Sequence, residues 1–475
     1  MDCAPPGSAR HSTRNPETPM DTLSPTIFRE YDIRGLVDQD LTEHAVHLVG
    51  KALGTRIREA GGRKAAVGRD ARLSGERFRD AMVSALTSTG IDVLDLGVVP
   101  TPLTYFAAHT AGVDGICMIT GSHNPPEYNG LKVGLGAATF HGEEIQALRR
   151  LAESGRFASG SGTVSPYDVI TPYRKYVREN LRLGGRKLKV VVDAGNGTGG
   201  VIAVPILEAL GVEVVPLFID MDGRFPNHHP DPTVEKNLEH LKAKVLETKA
   251  DLGIAYDGDA DRVGAVDERG RVLWGDQIMI LFSRALLAEE PGAAIVGEVK
   301  CSMSLYDDIA KRGGRAIMWK AGHSLIKAKM KEERALLAGE MSGHIFFAHR
   351  WFGFDDGIYS SARLVELLSR TDAPLSALLA DVPRTESTPE LRVDCPEDKK
   401  FEVVRRAQEF FAARYEAVTV DGVRVVFPDG WGLVRASNTQ PLLVLRFEAR
   451  TKERLDEIEA LVRGKVAEIM REVGA

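Results

Sequence analysis

The sequence predicts an α/β protein: three related α/β domains followed by a smaller C-terminal α+β domain. Three observations predict it. The chain has 475 residues, and at about 150 residues per domain that length holds roughly three domains, with four allowed. Short apolar runs alternate with amphipathic stretches of helical period from residue 63 onward, the order of layered α/β folds. From residue 386 the pattern changes to closely spaced strand-like runs that end in one long amphipathic stretch.

In the first unit KAAVG (64–68), IDVLDLG (91–97) and GICMIT (115–120) read as strands. Helices at 76–90 and 101–112 separate them, the first stopping at Gly90 as helices do at glycine. The second unit repeats the order, with strands at 187–195, 212–218 and 252–257 and helices at 199–211 and 238–248. The third has helices at 275–290 and 304–314 and strands at 293–299 and 316–320. No residue-level repeat relates the three. In the last unit 389–396, 416–430 and 441–449 are strand-like. Leu455, Ile458, Val462, Val466, Ile469 and Val473 share one face of the closing helix. Turn composition sets seams near 161–166, 267–270 and 385–389, giving domains 25–165, 166–270, 271–385 and 386–475. Residues 1–24, with Pro5, Pro6, Pro16 and Pro19 among small polar residues, read as a flexible arm. Met20 is a second candidate start.

Composition narrows the function. Lysine plus arginine is 61 and aspartate plus glutamate 67, a net charge of −6. That balance argues against nucleic-acid binding, which needs a basic face. No run of 18 apolar residues occurs, and the stretch 278–288 carries Arg284, so no membrane span is expected. Cys3, Cys117, Cys301 and Cys395 lie far apart. They read as reduced thiols of a cytoplasmic protein, not as a disulfide or zinc framework.

Four constellations carry chemistry. ITGSHNPPEYNGLKV (119–133) follows a strand and is rich in turn formers, a rigid loop at the carboxyl end of a strand, where α/β sheets bind ligands. Its Ser122 can exchange a phosphoryl group if a cation offsets charge and another group handles the proton; Lys132 is near in sequence. YDGDADRVGAV (256–266) alternates Asp257, Asp259 and Asp261. In an extended segment these point to one side, and hard carboxylates suit Mg²⁺ or Ca²⁺. An EF-hand count puts Glu268 at position 12, but Arg262 stands where that loop requires glycine, and the flanks are strand-like. GEMSGHIFF (339–347) alternates Glu340, Ser342 and His344, groups that bond sugar hydroxyls. VRASNTQP (434–441) gathers Arg435, Ser437, Asn438 and Thr439 between two strands, donors that match a phosphate dianion. Further donors are Tyr31 and Arg34 in YDIRG (31–35), Lys300, and His323 in AGHS (321–324). The aromatics of HRWFGFDDG (349–357) read as core, and glycine-rich DAGNGTGG (193–200) as a tight strand-to-helix turn, since neither nucleotide motif spacing is met.

Taken together these motifs resemble the α-D-phosphohexomutase superfamily, over nearly the whole chain from about Phe28 and in family order. The resemblance implies four domains around one central cleft. It implies that Ser122 carries the phosphoryl group and that Mg²⁺ is held by Asp257, Asp259, Asp261 and a phosphoserine oxygen. GEMSGH is similar to the sugar loop of the phosphomannomutase/phosphoglucomutase branch, and RASNTQP to the phosphate loop. The implied activity interconverts hexose 1-phosphate and hexose 6-phosphate, of mannose or glucose, through a hexose 1,6-bisphosphate. Glu340, Ser342, His344, Lys300 and Tyr31 would hold the sugar. Lys132 would act as general base with Arg34 and His323 assisting, its pKa lowered by cations such as Arg34 and Arg262. Partners would be small sugar phosphates, with the chain a monomer or small homo-oligomer. Phosphoglucosamine mutases share every catalytic residue, and a non-catalytic sugar-phosphate sensor would keep the fold.

Overall fold

β-Branched runs bounded by turn formers give the parallel strands, and amphipathic segments between them give the covering helices. Helix Gly75–Ser88, for example, buries Phe78, Met82, Ala85 and Leu86, a single stripe of helical period. The computed structural model describes residues 23–437 and 440–475. All but the last two residues of the expected arm, and both Asn438 and Thr439, lie outside the described residues.

The described strands form four sheets. In the first, Lys64–Arg69 pairs in parallel with Asp92–Val98 and Gly115–Ile119; Val164–Pro166 extends one edge. Past Gly115–Ile119 the sheet turns antiparallel through Tyr128–Leu135 and Ile33–Leu36. In the second, Leu252–Tyr256, Lys189–Asp193 and Glu213–Leu217 are parallel, and Val263–Asp267 and Val272–Leu273 continue antiparallel. The turn at 267–270, taken as a seam, thus lies inside this sheet. In the third, Arg315–Trp319, Ala294–Glu298 and Leu337–Gly339 are parallel, with Ile345–Phe347 antiparallel at the edge. The last sheet is wholly antiparallel, with Lys400–Ala412 and Lys452–Val473 packed on it.

A repeat absent from the residues is therefore present in the connections. In each α/β sheet one parallel strand runs into an antiparallel neighbour: Gly115–Ile119 into Tyr128–Leu135, Leu252–Tyr256 into Val263–Asp267, Leu337–Gly339 into Ile345–Phe347. The links are 120–127, 257–262 and 340–344, the loops singled out for chemistry. In the fourth sheet, the link from Gly430–Ala436 to Leu442–Ala449 is the expected phosphate loop. One large core cluster joins helices and strands of all three α/β units, including Phe106, Tyr173, Trp351, Phe354 and Tyr359, so the aromatics of 349–357 are core as expected. Among the described residues no helix is long and apolar enough to cross a membrane.

Two expectations need correction. Residues 119–133 are not one loop: from Tyr128 the chain is a strand, with Lys132 paired to Met118. Asn129 and Gly130 read as turn formers but sit inside the sheet. The aspartate segment is not extended either. It is a tight turn with Ala260 in the left-handed region (φ 57°), and turn closure, not strand alternation, gathers the carboxylates.

Candidate active site

The turn at 120–127 is built around a buried guanidinium. Arg72 Nη1 donates to the carbonyls of Pro125 (2.6 Å) and Tyr128 (2.7 Å), and Nη2 to those of Ser122 (2.8 Å) and Asn124 (2.5 Å). Asp70 takes Arg72 Nε and Thr120 Oγ1. This clamp holds Ser122 at φ 49°, a conformation that costs a non-glycine residue ~1–2 kcal/mol. Ser122 is 2 % exposed, and its Oγ donates to Asp257 Oδ2 at 2.7 Å. Such closeness requires glycine at 258, where a Cβ would fall 2.5 Å from the Ser122 carbonyl oxygen.

Asp257, Asp259 and Asp261 are fully buried, with one oxygen of each within 4.8 Å of the others. Lys132 Nζ donates to Asp259 Oδ2 at 2.9 Å and also to Asp261. Thr101 Oγ1 adds a 2.5 Å bond to Asp259 Oδ2. Burial, then the charges of Asp259 and Asp261, hold the Asp257 carboxyl well above the usual carboxylate range. Burial also acts on Asp259, but the Lys132 ammonium and the Thr101 hydroxyl outweigh it and hold that carboxyl low. Asp259 Oδ1 and Asp261 Oδ1 have no hydrogen-bond partner among the described residues. Three buried hard-oxygen donors with two orphaned atoms fit a small divalent cation.

Lys132 differs from expectation. Its neighbours are carboxylates, not Arg34 and Arg262. Burial works against the ammonium, yet Asp259 and Asp261 prevail and hold it well above the usual lysine value. Arg34 instead ties the serine turn, with Nη1 on Asn124 Oδ1 (2.6 Å) and Nη2 on Asp32 (2.5 Å). Arg262 joins two loops: its N–H donates to Asp257 Oδ1 (3.1 Å) and its Nε to His344 Nε2 (2.9 Å). Gly343 makes that junction close, since a Cβ there would meet the Val263 carbonyl at 2.5 Å.

A cavity of about 980 Å³ opens over these loops. Tyr31, Arg262, Lys300 and His323 line it, together with Glu340, Ser342, His344, Arg435 and Ser437. Ser122, Lys132, Arg34 and the aspartates do not; His123 and Arg262, their chain neighbours, reach the cavity for them. The imidazoles of His323 and His344 stack with centroids 5.5 Å apart, and burial keeps His323 well below its usual value. Glu340 accepts from the Gly322 N–H at 2.6 Å. Lys300 stands 3.3 Å from Glu390 and 3.6 Å from Glu298. Arg435 Nε donates to Asp421 Oδ2 at 2.9 Å, and that oxygen also takes the Ala321 N–H. Glu268 bonds Ser376, away from the aspartates, and strands flank the turn, so the segment from Asp257 to Glu268 is not an EF-hand loop.

Sequence reading missed Arg72, Thr101, Asp421 and the supporting role of 193–200. There Thr198 N–H donates to the Gly258 carbonyl at 3.1 Å, bracing the aspartate turn. A buried arginine amid loop carbonyls leaves no local signal; its partners lie 50–56 residues away.

Three α/β domains and a fourth domain that each lend one hairpin loop to a shared cleft, with a serine held on an aspartate cluster, define an α-D-phosphohexomutase. Comparison with known proteins agrees along the chain. Family models of phosphoglucomutase/phosphomannomutase match in four parts: alpha/beta/alpha domains I, II and III at 25–159, 171–270 and 274–385, and the C-terminal domain at 390–465. The phosphomannomutase/phosphoglucomutase of Pseudomonas aeruginosa is 48 % identical, covering 94 % of this chain and 96 % of the relative. A phosphoglucomutase of Neisseria meningitidis is 46 % identical, covering 93 % and 96 %. The crystal structure of a phosphoglucomutase/phosphomannomutase family protein from Burkholderia thailandensis superposes with a TM-score of 0.89 at 44 % identity, covering 94 % and 98 %. The chain belongs to the phosphoglucomutase/phosphomannomutase family.

Proposed function

We propose that the protein interconverts the 1-phosphate and 6-phosphate of glucose, mannose or both, by way of a phosphoserine at Ser122 and a hexose 1,6-bisphosphate. The observation that carries this reading is the 2.7 Å bond from Ser122 Oγ to Asp257. A hydroxyl held against an acidic metal cluster is what reversible phosphoryl transfer needs. Asp257, Asp259 and Asp261 would hold Mg²⁺, which offsets the charge of the phosphoryl oxygens as the serine ester forms and breaks.

The chain's own residues do the rest. Arg72 and Arg34 fix the turn that presents Ser122. Arg435 and Ser437, with Asn438 and Thr439, take the phosphate already on the sugar. Glu340, Ser342, Lys300 and Tyr31 bond ring hydroxyls and orient one of them toward phosphoserine. Lys132, a cation among carboxylates, orients Asp259 and Asp261. His344 faces the cleft and touches the aspartate turn, and it takes the proton of the attacking hydroxyl, with His323 stacked against it. The bisphosphate then turns, docks its other phosphate at Arg435 and returns a phosphoryl group to Ser122. The cavity volume leaves room for that turn. Every residue named comes from one chain, so a monomer suffices. The buried free thiols Cys117, Cys301 and Cys395 suit a reducing cytoplasm.

A site that accepts the sugar in two orientations cannot grip every hydroxyl. Glucose and mannose 1-phosphates, which differ only at C2, should therefore both turn over in coupled assays with Mg²⁺. A preference above about a thousandfold, ~4 kcal/mol, contradicts dual use, and no turnover of either contradicts the reading itself.

A further inference from the structure

Asp355 follows Phe354 within the segment 349–357 and is fully buried, yet nothing in the scheme above uses it. Its Oδ1 accepts from Lys327 Nζ at 3.1 Å, and Lys327 lies 4.2 Å from the centre of the Tyr105 ring. Its Oδ2 lies 3.1 Å from His344 Nδ1 and 3.7 Å from His323 Nδ1. Among the described residues neither His344 Nδ1 nor Asp355 Oδ2 has an aligned hydrogen bond, though both atoms are buried. Two buried polar atoms facing each other are costly when unbonded, and a small rotation of the ring would join them. Catalytic hydrogen bonds are often loose before substrate binds.

The other ring nitrogen identifies the tautomer. Arg262 Nε donates to His344 Nε2 at 2.9 Å, and a guanidinium can only donate. Nε2 therefore carries the lone pair and Nδ1 the proton. Asp261 Oδ1 is also 3.5 Å from Nδ1, but that oxygen belongs to the cation cluster. Asp355 is the carboxylate left to Nδ1.

We propose that Asp355 is a positioning residue for His344, fixing the ring with its proton on Nδ1 so that Nε2, once the sugar hydroxyl replaces the Arg262 N–H on it, serves as proton acceptor in the cleft. The inference rests on the mutase reading and deepens it. In the outward transfer the sugar oxygen bonds to phosphorus, its proton passes to Nε2, and the Ser122 Oγ–P bond breaks with its electron pair left on Oγ. In the return transfer Nε2 gives its proton to the departing sugar oxygen. The electron pair left on Oγ re-forms the Ser122 Oγ–P bond in the return transfer, so the only proton moved is the one that Nε2 takes and gives back. Asp355 stabilises the imidazolium between the two steps.

Asp355→Asn keeps shape and volume while replacing one oxygen by an NH₂. It should lower kcat by about tenfold or more with KM for the sugar phosphate nearly unchanged. The ¹⁵N spectrum of the full chain should show His344 protonated on Nδ1 in the wild type and redistributed toward Nε2 in the variant. In a His344→Ala background Asp355→Asn should cost almost nothing more. Unchanged kcat, an unchanged tautomer, or fully additive losses would overturn the proposal. Should Asp355→Asn not fold, the wild-type tautomer decides, and a proton on Nε2 overturns it. A wild-type protein that turns over no sugar phosphate counts against the mutase reading alone, because the tautomer measurement needs no turnover.

Discussion

Ser122 is the residue on which the chemistry turns, and its backbone is held by other residues. A serine at φ 49° stays there because Arg72 gathers four carbonyls of the same turn. Lysine could not do this. An ammonium offers three protons from one point, whereas the guanidinium presents a planar fork. Arg72→Lys should leave at least one buried carbonyl of the turn without its partner, at about 1–3 kcal/mol. The expected result is a loss of kcat of at least about tenfold and a lower thermal midpoint, read by steady-state assay and calorimetry. Wild-type kcat in that variant would show that the clamp does not position Ser122. At this scale the sequence was half legible. Ser122, the aspartates and Glu340 stood out because their spacing carries chemistry. Arg72 and Thr101 did not, because what makes them matter is a distant carbonyl or carboxylate. Lys132 was legible as a participant but not in its environment, which only folding brings together.

Among elements, most parallel strands and about half of the helices followed from apolar period; the short parallel strands Val164–Pro166 and Leu337–Gly339 were not read. Helix Gly357–Ser369 was not read either: it is buried on nearly every side, Arg363 and Glu366 included, so no polar face marks its period. Its N-cap gives a pH prediction. Asp356 accepts from the Tyr359 N–H (2.8 Å) and the Tyr173 hydroxyl (2.9 Å), while burial outweighs both and pushes its carboxyl up to about 7. In the unfolded chain the group ionises near pH ~4. Between those values the folded state holds a proton that the unfolded state has released. Stability from this group is thus greatest below about pH 4, falls as pH rises to about 7, and is level above. Asp356→Asn, neutral throughout, should flatten that part of the curve in urea unfolding. An identical slope in both proteins would contradict the assignment.

Across the whole molecule, three sheets with no residue-level repeat place their working loops at the same connection, and the fourth sheet adds a hairpin of its own. Length and pattern gave the number of units; the resemblance, not the pattern, gave the cleft. Contacts across it are specific. Arg446 Nη1 donates to the Lys300 carbonyl (3.0 Å), Ser302 Oγ to Glu448 (3.0 Å), and Tyr31 OH to the Ala321 carbonyl (2.9 Å). Arg435 is anchored to Asp421 through Nε alone, and Asp421 also takes the Ala321 N–H, so an incoming phosphate would be met by the Nη groups of an already positioned guanidinium.

The central claim is that a phosphoryl group resides on Ser122 and leaves it in every cycle. Quench-flow mass spectrometry of the Ser122 peptide follows that group directly, after loading with hexose 1,6-bisphosphate and mixing with hexose 1-phosphate. The account predicts phosphoserine at Ser122 alone, lost to sugar and regained at no less than the rate of turnover, and near-complete inactivity of Ser122→Ala. Turnover with no phosphoryl group on Ser122, or an active Ser122→Ala variant, would contradict it.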